Sequence, residues 1–190
     1  AQFLDQLGVK IFKTASADIT DLPLHEFLAS TRKIVIISSG MATLGEIELA
    51  LDVYRRNNNN NIILLHCVSN YPCKFESLNL KVIQTLHNSF NIPVGYSDHA
   101  EGVYPAVISV ALGAKVIEKH FTLDKDMIGP DHKTSCTPEE FKHLVEAIKI
   151  AEKSLGSPVK RLQNEEIQMK LVSRKSLFLS KNIQKNSLIK

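Results

Sequence analysis

Two histidines occupy equivalent places in the chain, each at the end of a run of strand-forming residues and each near a carboxylate. His99 follows Asp98, and His120 comes two residues after Glu118. Neighbouring parallel strands lie about 4.8 Å apart, so imidazoles from adjacent strand ends can share one ion. We predict a divalent metal site there, with the two carboxylates orienting the ligands or contacting substrate. The alternative is that each histidine only hydrogen-bonds within the rim. Imidazole with oxygen ligands suits Mn²⁺, Mg²⁺, Co²⁺ or Zn²⁺.

Hydroxyl groups and one cation at the strand ends predict an anion site, typical of phosphate binding. The residues are Lys13, Ser16, Ser38, Ser39 and Ser97. A serine at a strand end is more often a plain turn residue, but recurrence on successive strands favours binding. A lysine on an inward strand position needs a charge partner, which a bound anion supplies. Cys67 and Cys73 lie near the same rim, and without a base partner neither is assigned as a nucleophile.

These residues must be positioned by short apolar strands that alternate with segments of helical period. The predicted strands are Lys10 to Ala15, Lys33 to Ser38, Asn61 to Cys67, Ile92 to Tyr96 and Lys115 to His120. The predicted helices are Leu24 to Ala29, Leu44 to Arg56, Asn79 to Asn88, Tyr104 to Leu112 and Pro138 to about Leu155. Periodicity alone allows an α/β doubly wound sheet or a barrel. Because every strand ends in a polar cluster, we predict five consecutive units of a (β/α)8 TIM barrel, whose active sites lie on that rim.

The amino-acid composition argues against several classes of protein. The 190 residues are 44% hydrophobic, and the net charge of +3 comes from 23 basic and 20 acidic residues spread along the chain, which argues against nucleic-acid binding. The apolar runs are too short to span a membrane and the start lacks a signal-peptide layout, so we expect a cytoplasmic protein. Three cysteines without CxxC spacing argue against a disulfide framework and a thiolate zinc site.

The chain divides by character near Gly156. Residues 1–156 carry the strand and helix pattern and are predicted to form a partial barrel domain. Residues 157–190 are polar and then mixed without a clear period, which predicts a linker and the start of a truncated C-terminal domain. The chain opens with Ala in a helical pattern, and we interpret it as a piece of something longer.

Taken together, the motifs resemble one enzyme family. They are Phe12-Lys13-Thr14-Ala15-Ser16, Ile37-Ser38-Ser39-Gly40-Met41, Leu65-His66-Cys67-Val68-Ser69-Asn70-Tyr71-Pro72, Gly95-Tyr96-Ser97-Asp98-His99, Glu118-Lys119-His120-Phe121-Thr122 and Gly129-Pro130-Asp131-His132. In this order and spacing they closely resemble N-acetylneuraminate (sialic acid) synthase and its legionaminic and pseudaminic acid relatives. The resemblance covers Lys10 to about Leu155.

The resemblance implies a (β/α)8 barrel, of which this chain holds strands four to eight. It also implies a small antifreeze-like C-terminal domain, which caps the partner's site in a domain-swapped homodimer. The implied metal ligands are His99 and His120, with Mn²⁺ the first choice and Mg²⁺ or Co²⁺ the others. The implied phosphoenolpyruvate contacts are Lys13, Ser16, Ser38 and Ser97, and the implied amino-sugar contacts are Tyr71 and Asp131. Ser69 is assigned to substrate binding. The carboxylates assigned to catalysis are Asp18 and Glu118. Asp18 stands where the family often has Glu, and Ser69 where some members have Asn.

The implied reaction condenses phosphoenolpyruvate with N-acetylmannosamine, or a related N-acetylated amino sugar, to give N-acetylneuraminate and phosphate. C3 of phosphoenolpyruvate attacks the sugar aldehyde carbon, water adds at C2 and phosphate leaves. The family's carboxylate on strand one and lysine on strand two are absent from this chain, as is a cap-domain arginine. We therefore expect little activity from the chain alone. The alternatives are a legionaminic or pseudaminic acid synthase that uses a diacetamido sugar, and a non-catalytic partial barrel that acts in binding or oligomerisation.

Overall fold

The computed structural model describes residues 1–188 and contains two compact units. The first is Ala1–Leu155, and the second begins at Gly156. Within the second unit, Glu166–Ser173 forms a helix in a stretch where the sequence pattern predicts a linker. Residues 189 and 190, the end of the predicted C-terminal segment, lie outside the described residues.

The first unit is built on five parallel strands that follow one another in chain order. They are β1 (Ile11–Thr14), β2 (Ile34–Ser38), β3 (Ile62–Cys67), β4 (Val94–Asp98) and β5 (Ile117–Lys119), in the order β1-β2-β3-β4-β5. A doubly wound sheet reverses its strand order at a switch point, and this sheet does not. The strands form a curled half-barrel, which confirms the predicted α/β partial barrel.

Helices connect the strands and cover the convex side of the sheet. They are α1 (Gln2–Gln6), α2 (Leu22–Ser30), α3 (Leu44–Arg56), α4 (Val82–Phe90), α5 (Tyr104–Ala111) and α6 (Pro138–Leu155), with α7 (Glu166–Ser173) in the second unit. Three short 3₁₀ turns lie at Ser16–Thr20, Phe75–Ser77 and His132–Thr134. Across residues 1–188, no helix combines the length and the apolar character that crossing a membrane would require.

The predicted boundaries are least accurate around α4 and β4. The helix begins at Val82 rather than Asn79, because Asn79 has a positive φ of 45° and starts a turn instead. Asn91 ends the helix in the left-handed conformation, which asparagine tolerates better than most residues. β4 then runs from Val94 to Asp98, so Ser97 and Asp98 belong to the strand and not to the loop after it.

Strand residues alternate between the helix layer and the concave side, as a period of two requires. Side chains such as Val35, Ile37 and Leu64 are fully buried and pack with α3 residues such as Ile47 and Leu51 in the main hydrophobic core. Burying each such side chain contributes roughly 1.5–3 kcal/mol. The residues of opposite parity face the concave side, where they form the candidate site.

Candidate functional site

A cavity of about 300 Å³ lies at the carboxyl ends of the strands, where the barrel rim was predicted to carry chemistry. Nine of the eleven predicted site residues line it: Lys13, Ser16, Ser38, Ser69, Tyr71, Ser97, Glu118, His99 and His120. Cys67 and Met41, to which no role was assigned, line it as well. The structure therefore gathers residues from all five strands and the loops that follow them.

Lys13 and Glu118 form the charged part of this cavity. The Lys13 Nζ donates to Ser38 Oγ at 2.8 Å and lies 3.4 Å from Glu118 Oε2. Ser97 Oγ donates to the other carboxylate oxygen, Glu118 Oε1, at 2.7 Å. Lys13 occupies the predicted inward strand position, and 31% of its side chain is exposed because the five-stranded sheet leaves its concave face open. An ammonium group and two hydroxyl groups thus face the same space.

The two histidine rings lie side by side on the cavity wall, with centroids 5.4 Å apart. His99 Nδ1 is 2.8 Å from the carbonyl oxygen of Val68, so a proton on Nδ1 donates there, and the Nε2 lone pair faces Ser97 Oγ at 3.5 Å. This is how proteins orient an imidazole that binds a metal ion. The Tyr71 ring packs against both histidines, with its centroid 4.0 Å from that of His99 and 5.1 Å from that of His120.

Cys67 lies beside His99, a contact that could not be identified from the sequence. Its Sγ is 3.7 Å from His99 Nδ1. Burial alone would raise the pKa of the Cys67 thiol, but hydrogen bonds with His99 and Ser16 outweigh burial and the pKa lies below its ordinary value. For His99, burial acts downward, and the interactions with Cys67 and Val68 raise the pKa above 6.5. The contact joins residues 32 positions apart, so local sequence carries no signal for it.

Three carboxylates that the sequence placed at or near the site do not line the cavity. Asp18 Oδ2 accepts a hydrogen bond from the Ala15 backbone N–H at 2.8 Å and so caps the 3₁₀ turn that carries Ser16. Asp131 Oδ2 is 4.0 Å from His120 Nδ1, beyond hydrogen-bonding distance. Asp98, expected to orient His99 or contact substrate, has the opposite strand parity and points into the helix layer.

The donor set provides two imidazole nitrogens for a metal ion. No group of three His, Cys, Asp or Glu side chains in residues 1–188 is arranged to hold one. Imidazole nitrogen suits first-row transition metals better than Mg²⁺, so a two-histidine set fits such an ion with water or substrate oxygens as its remaining ligands. The orientation of His99 by Val68 supports this fit.

Comparison with known proteins identifies the family. The family model described as the NeuB family matches residues 1–160. The chain belongs to the NeuB family. A NeuB-family relative from Campylobacter jejuni, N,N'-diacetyllegionaminic acid synthase, is 47% identical over 97% of this chain and 56% of its own length. An uncharacterized protein of Methanocaldococcus jannaschii is 50% identical over 98% of this chain and 55% of its own length.

A solved structure agrees with this NeuB-family assignment. The N-acetylneuraminic acid (sialic acid) synthetase from Leptospira borgpetersenii, in complex with citrate, is 38% identical and superposes with a TM-score of 0.82. The match covers 92% of this chain and 62% of that chain. The chain spans about half the length of the curated relatives it matches.

Proposed function

We propose that this chain carries the metal-binding and anion-binding half of a sugar-acid synthase. The proposed reaction condenses phosphoenolpyruvate with N-acetylmannosamine, or a related N-acetylated amino sugar, and water to give N-acetylneuraminate, or the corresponding sugar acid, and phosphate. The observation that carries the proposal is the cavity that unites the Lys13 ammonium with the His99 and His120 rings. Relatives named as sugar-acid synthases and the match to the NeuB family support it.

The charged part of the cavity suits phosphoenolpyruvate, which carries a phosphate and a carboxylate. Lys13 supplies the cation, and the hydroxyl groups of Ser16, Ser38 and Ser97 supply donors around it. Charge-assisted hydrogen bonds of this kind are about twice as strong as neutral ones. With Lys13 held between Ser38 and Glu118, the anion meets a preorganised group and little reorganisation is needed on binding.

The histidine pair suits the aldehyde end of the second substrate. A divalent ion, Mn²⁺ first and Mg²⁺ or Co²⁺ next, held by His99 and His120 would supply Lewis acidity at the aldehyde oxygen of the open-chain sugar. The two histidines and Tyr71 form one wall of the cavity, which can orient the sugar beside phosphoenolpyruvate. Ser69 and Asp131 are the further sugar contacts that we propose.

Glu118 is the better placed of the two carboxylates assigned to catalysis. It lines the cavity, so its Oε1 or Oε2 can accept a proton from the water that adds at C2. Asp18 is engaged in capping a turn and does not line the cavity. We propose for Asp18 a role in holding Ser16 in place, with direct catalysis only if the cap opens.

The rest of the proposal concerns the whole protein. We propose a cytoplasmic homodimer in which an antifreeze-like domain, beginning after a linker within residues 157–190, covers the partner's cavity. Neither nucleic acid nor membrane is part of the proposed function. The 190-residue chain alone is expected to release little or no phosphate.

The test is phosphate release from phosphoenolpyruvate by a full-length protein that contains this chain, with Mn²⁺ and N-acetylmannosamine. We expect release that requires the sugar and falls by about 100-fold or more in His99→Ala and in His120→Ala, the scale of losing a strong electrostatic contact to the transition state. A matched control is His87→Ala, on the outer side of α4 and outside the cavity. Release with a diacetamido sugar instead would change the assigned substrate, and no release with either sugar would contradict the proposal.

A further inference from the structure

A buried ion pair joins the ends of β4 and β5 on the side away from the cavity. Asp98 and Lys119 are direct partners in the parallel register, and Lys119 Nζ lies 2.8 Å from Asp98 Oδ2. The exposed fractions of the two side chains are 0% and 2%. Ion pairs are seldom this buried, because removing both charges from water costs about as much as their attraction returns. Its presence therefore calls for a reason other than stability.

Both charges are fully satisfied by hydrogen bonds. The Lys119 ammonium donates to Asp98, to the Ala100 carbonyl oxygen and to the Gly102 carbonyl oxygen, which uses its three donors. Asp98 Oδ1 accepts from the Tyr96 hydroxyl at 3.1 Å and from the Ala100 backbone N–H at 2.9 Å. Lys119 thus ties β5 to the end of β4 and to the loop that follows His99.

At the end of each of the two strands, one residue of the ion pair immediately precedes a histidine. His99 directly follows Asp98, and His120 directly follows Lys119. Because successive side chains point to opposite faces, fixing Asp98 and Lys119 behind the sheet fixes the two backbones from which the imidazoles project in front. Each histidine is also anchored by its carbonyl oxygen: that of His99 accepts from the Cys73 N–H at 2.9 Å, and that of His120 accepts from the Cys136 N–H at 2.8 Å.

We propose that Asp98 and Lys119 are positioning residues that set the separation of His99 and His120, and thereby the affinity of the site for a divalent ion. The inference rests on the proposed function, since it assigns the ion to those two rings. Neither residue of the pair lines the cavity, so the pair acts through the backbone of the two strand ends. Groups that orient a metal ligand from behind typically change metal affinity by about 10- to 100-fold when they are removed.

The experiment measures Mn²⁺ binding without substrates, by the loss of the free Mn²⁺ electron paramagnetic resonance signal, on the full-length protein. The test variant is Asp98→Asn with Lys119→Met, which removes both charges and leaves no unpaired one. We expect its Mn²⁺ dissociation constant to rise about 10- to 100-fold. The matched control is Leu51→Ala, which opens a cavity in the core on α3, far from the strand ends, and should lower the melting temperature without changing Mn²⁺ affinity.

A milder variant covers the case in which the double substitution fails to fold. Tyr96→Phe keeps the ring and removes one hydrogen bond to Asp98, and we expect about threefold weaker Mn²⁺ binding. Unchanged affinity in the folded variants, or an equal loss in Leu51→Ala, would overturn the positioning role and leave the proposed function intact. Wild-type protein that binds Mn²⁺ no better than the variant lacking both His99 and His120 would instead overturn the metal site itself.

Discussion

The two faces of the sheet use the same kinds of polar residue for different ends. On the helix side, Lys119 and Asp98 lie 2.8 Å apart and are almost wholly buried. On the cavity side, Lys13 and Glu118 lie 3.4 Å apart, and 31% and 40% of their side chains are exposed. The first pair has its hydrogen bonds complete within the protein, and the second keeps donors and acceptors available to a ligand. The two ion pairs therefore differ in burial and not in residue type. The buried pair supports the fold, and the exposed pair can contact a ligand.

The histidines show the same contrast. His66 points into the helix layer and is 2.7 Å from the Leu78 carbonyl oxygen, and burial lowers its pKa below 6.5. His25 is fully buried next to Tyr54, and burial lowers its pKa as well. For His99, on the cavity side, burial acts in the same direction but the contact with Cys67 outweighs it. In the core, burial decides the direction in which a histidine pKa moves, whereas in the cavity the neighbouring thiol and the Val68 carbonyl oxygen outweigh burial.

The largest expected effect appears when the same Lys→Met substitution is made separately on each face of the sheet. Lys119→Met leaves Asp98 buried and unpaired, and we expect the free energy of unfolding to fall by about 3–5 kcal/mol. Lys13→Met removes a partly exposed ion pair, and we expect a change of no more than about 1 kcal/mol. Urea denaturation of the two variants measures the difference. Similar losses in both would show that the two pairs do not differ in kind.

The cavity-side lysine should matter more for activity than for stability. We expect Lys13→Met to raise the KM for phosphoenolpyruvate about 10- to 100-fold in the full-length protein, because a hydrogen bond to a charged group contributes about 1.5–3 kcal/mol. Steady-state kinetics with varied phosphoenolpyruvate gives this value. The control is Lys33→Met, which breaks an ion pair with Asp5 outside the cavity. A KM that rises equally in the control would remove Lys13 from the anion site.

The buried histidine His66 should make stability depend on pH in the acidic range. Its pKa is lower in the folded protein than in the unfolded chain, so the unfolded chain binds more protons below about pH 6.5. Its contribution to stability is complete above that pH and is lost as the pH falls toward the folded pKa, by up to about 1.4 kcal/mol per pH unit. Urea denaturation between pH 7 and pH 5 should show a flatter slope for His66→Gln, whose amide can still donate to Leu78. A slope that stays the same would contradict the assignment.

The smallest effect is expected at a position that belongs to neither face. The Thr43 side chain accepts a hydrogen bond from the Glu46 backbone N–H and begins α3. Thr43→Ala should lower the free energy of unfolding by about 1 kcal/mol, and Thr43→Ser, which keeps the cap, should lower it less. Both should bind Mn²⁺ like the wild type. Weaker Mn²⁺ binding in Thr43→Ala would mean that any loss of stability lowers Mn²⁺ affinity. Mn²⁺ affinity could then not distinguish residues of the two faces.

The sequence alone determined the elements and the rim. Alternating apolar residues and helical periodicity are local signals, so the five strands and the order of the helices were predicted correctly. The polar residues at the strand ends were local signals too, and they led to seven residues that line one cavity, whereas Ser69 and Tyr71 came from the family resemblance. Local signals were weakest at turns: Asn79 has a positive φ, and α4 therefore begins three residues later than predicted. They were also weak in the polar stretch that contains the helix Glu166–Ser173.

Only the tertiary structure decided which polar residue serves which face. The sequence placed Asp98 beside His99, but strand parity turns it toward Lys119, its partner 21 residues away. The same holds for Cys67, whose contact with His99 depends on the pairing of β3 with β4. Asp18 was predicted at the site, and its carboxylate caps the turn that carries Ser16, because a short carboxylate readily accepts from a backbone N–H three residues away. Such pairings depend on register between strands, and register is a property of the assembled sheet.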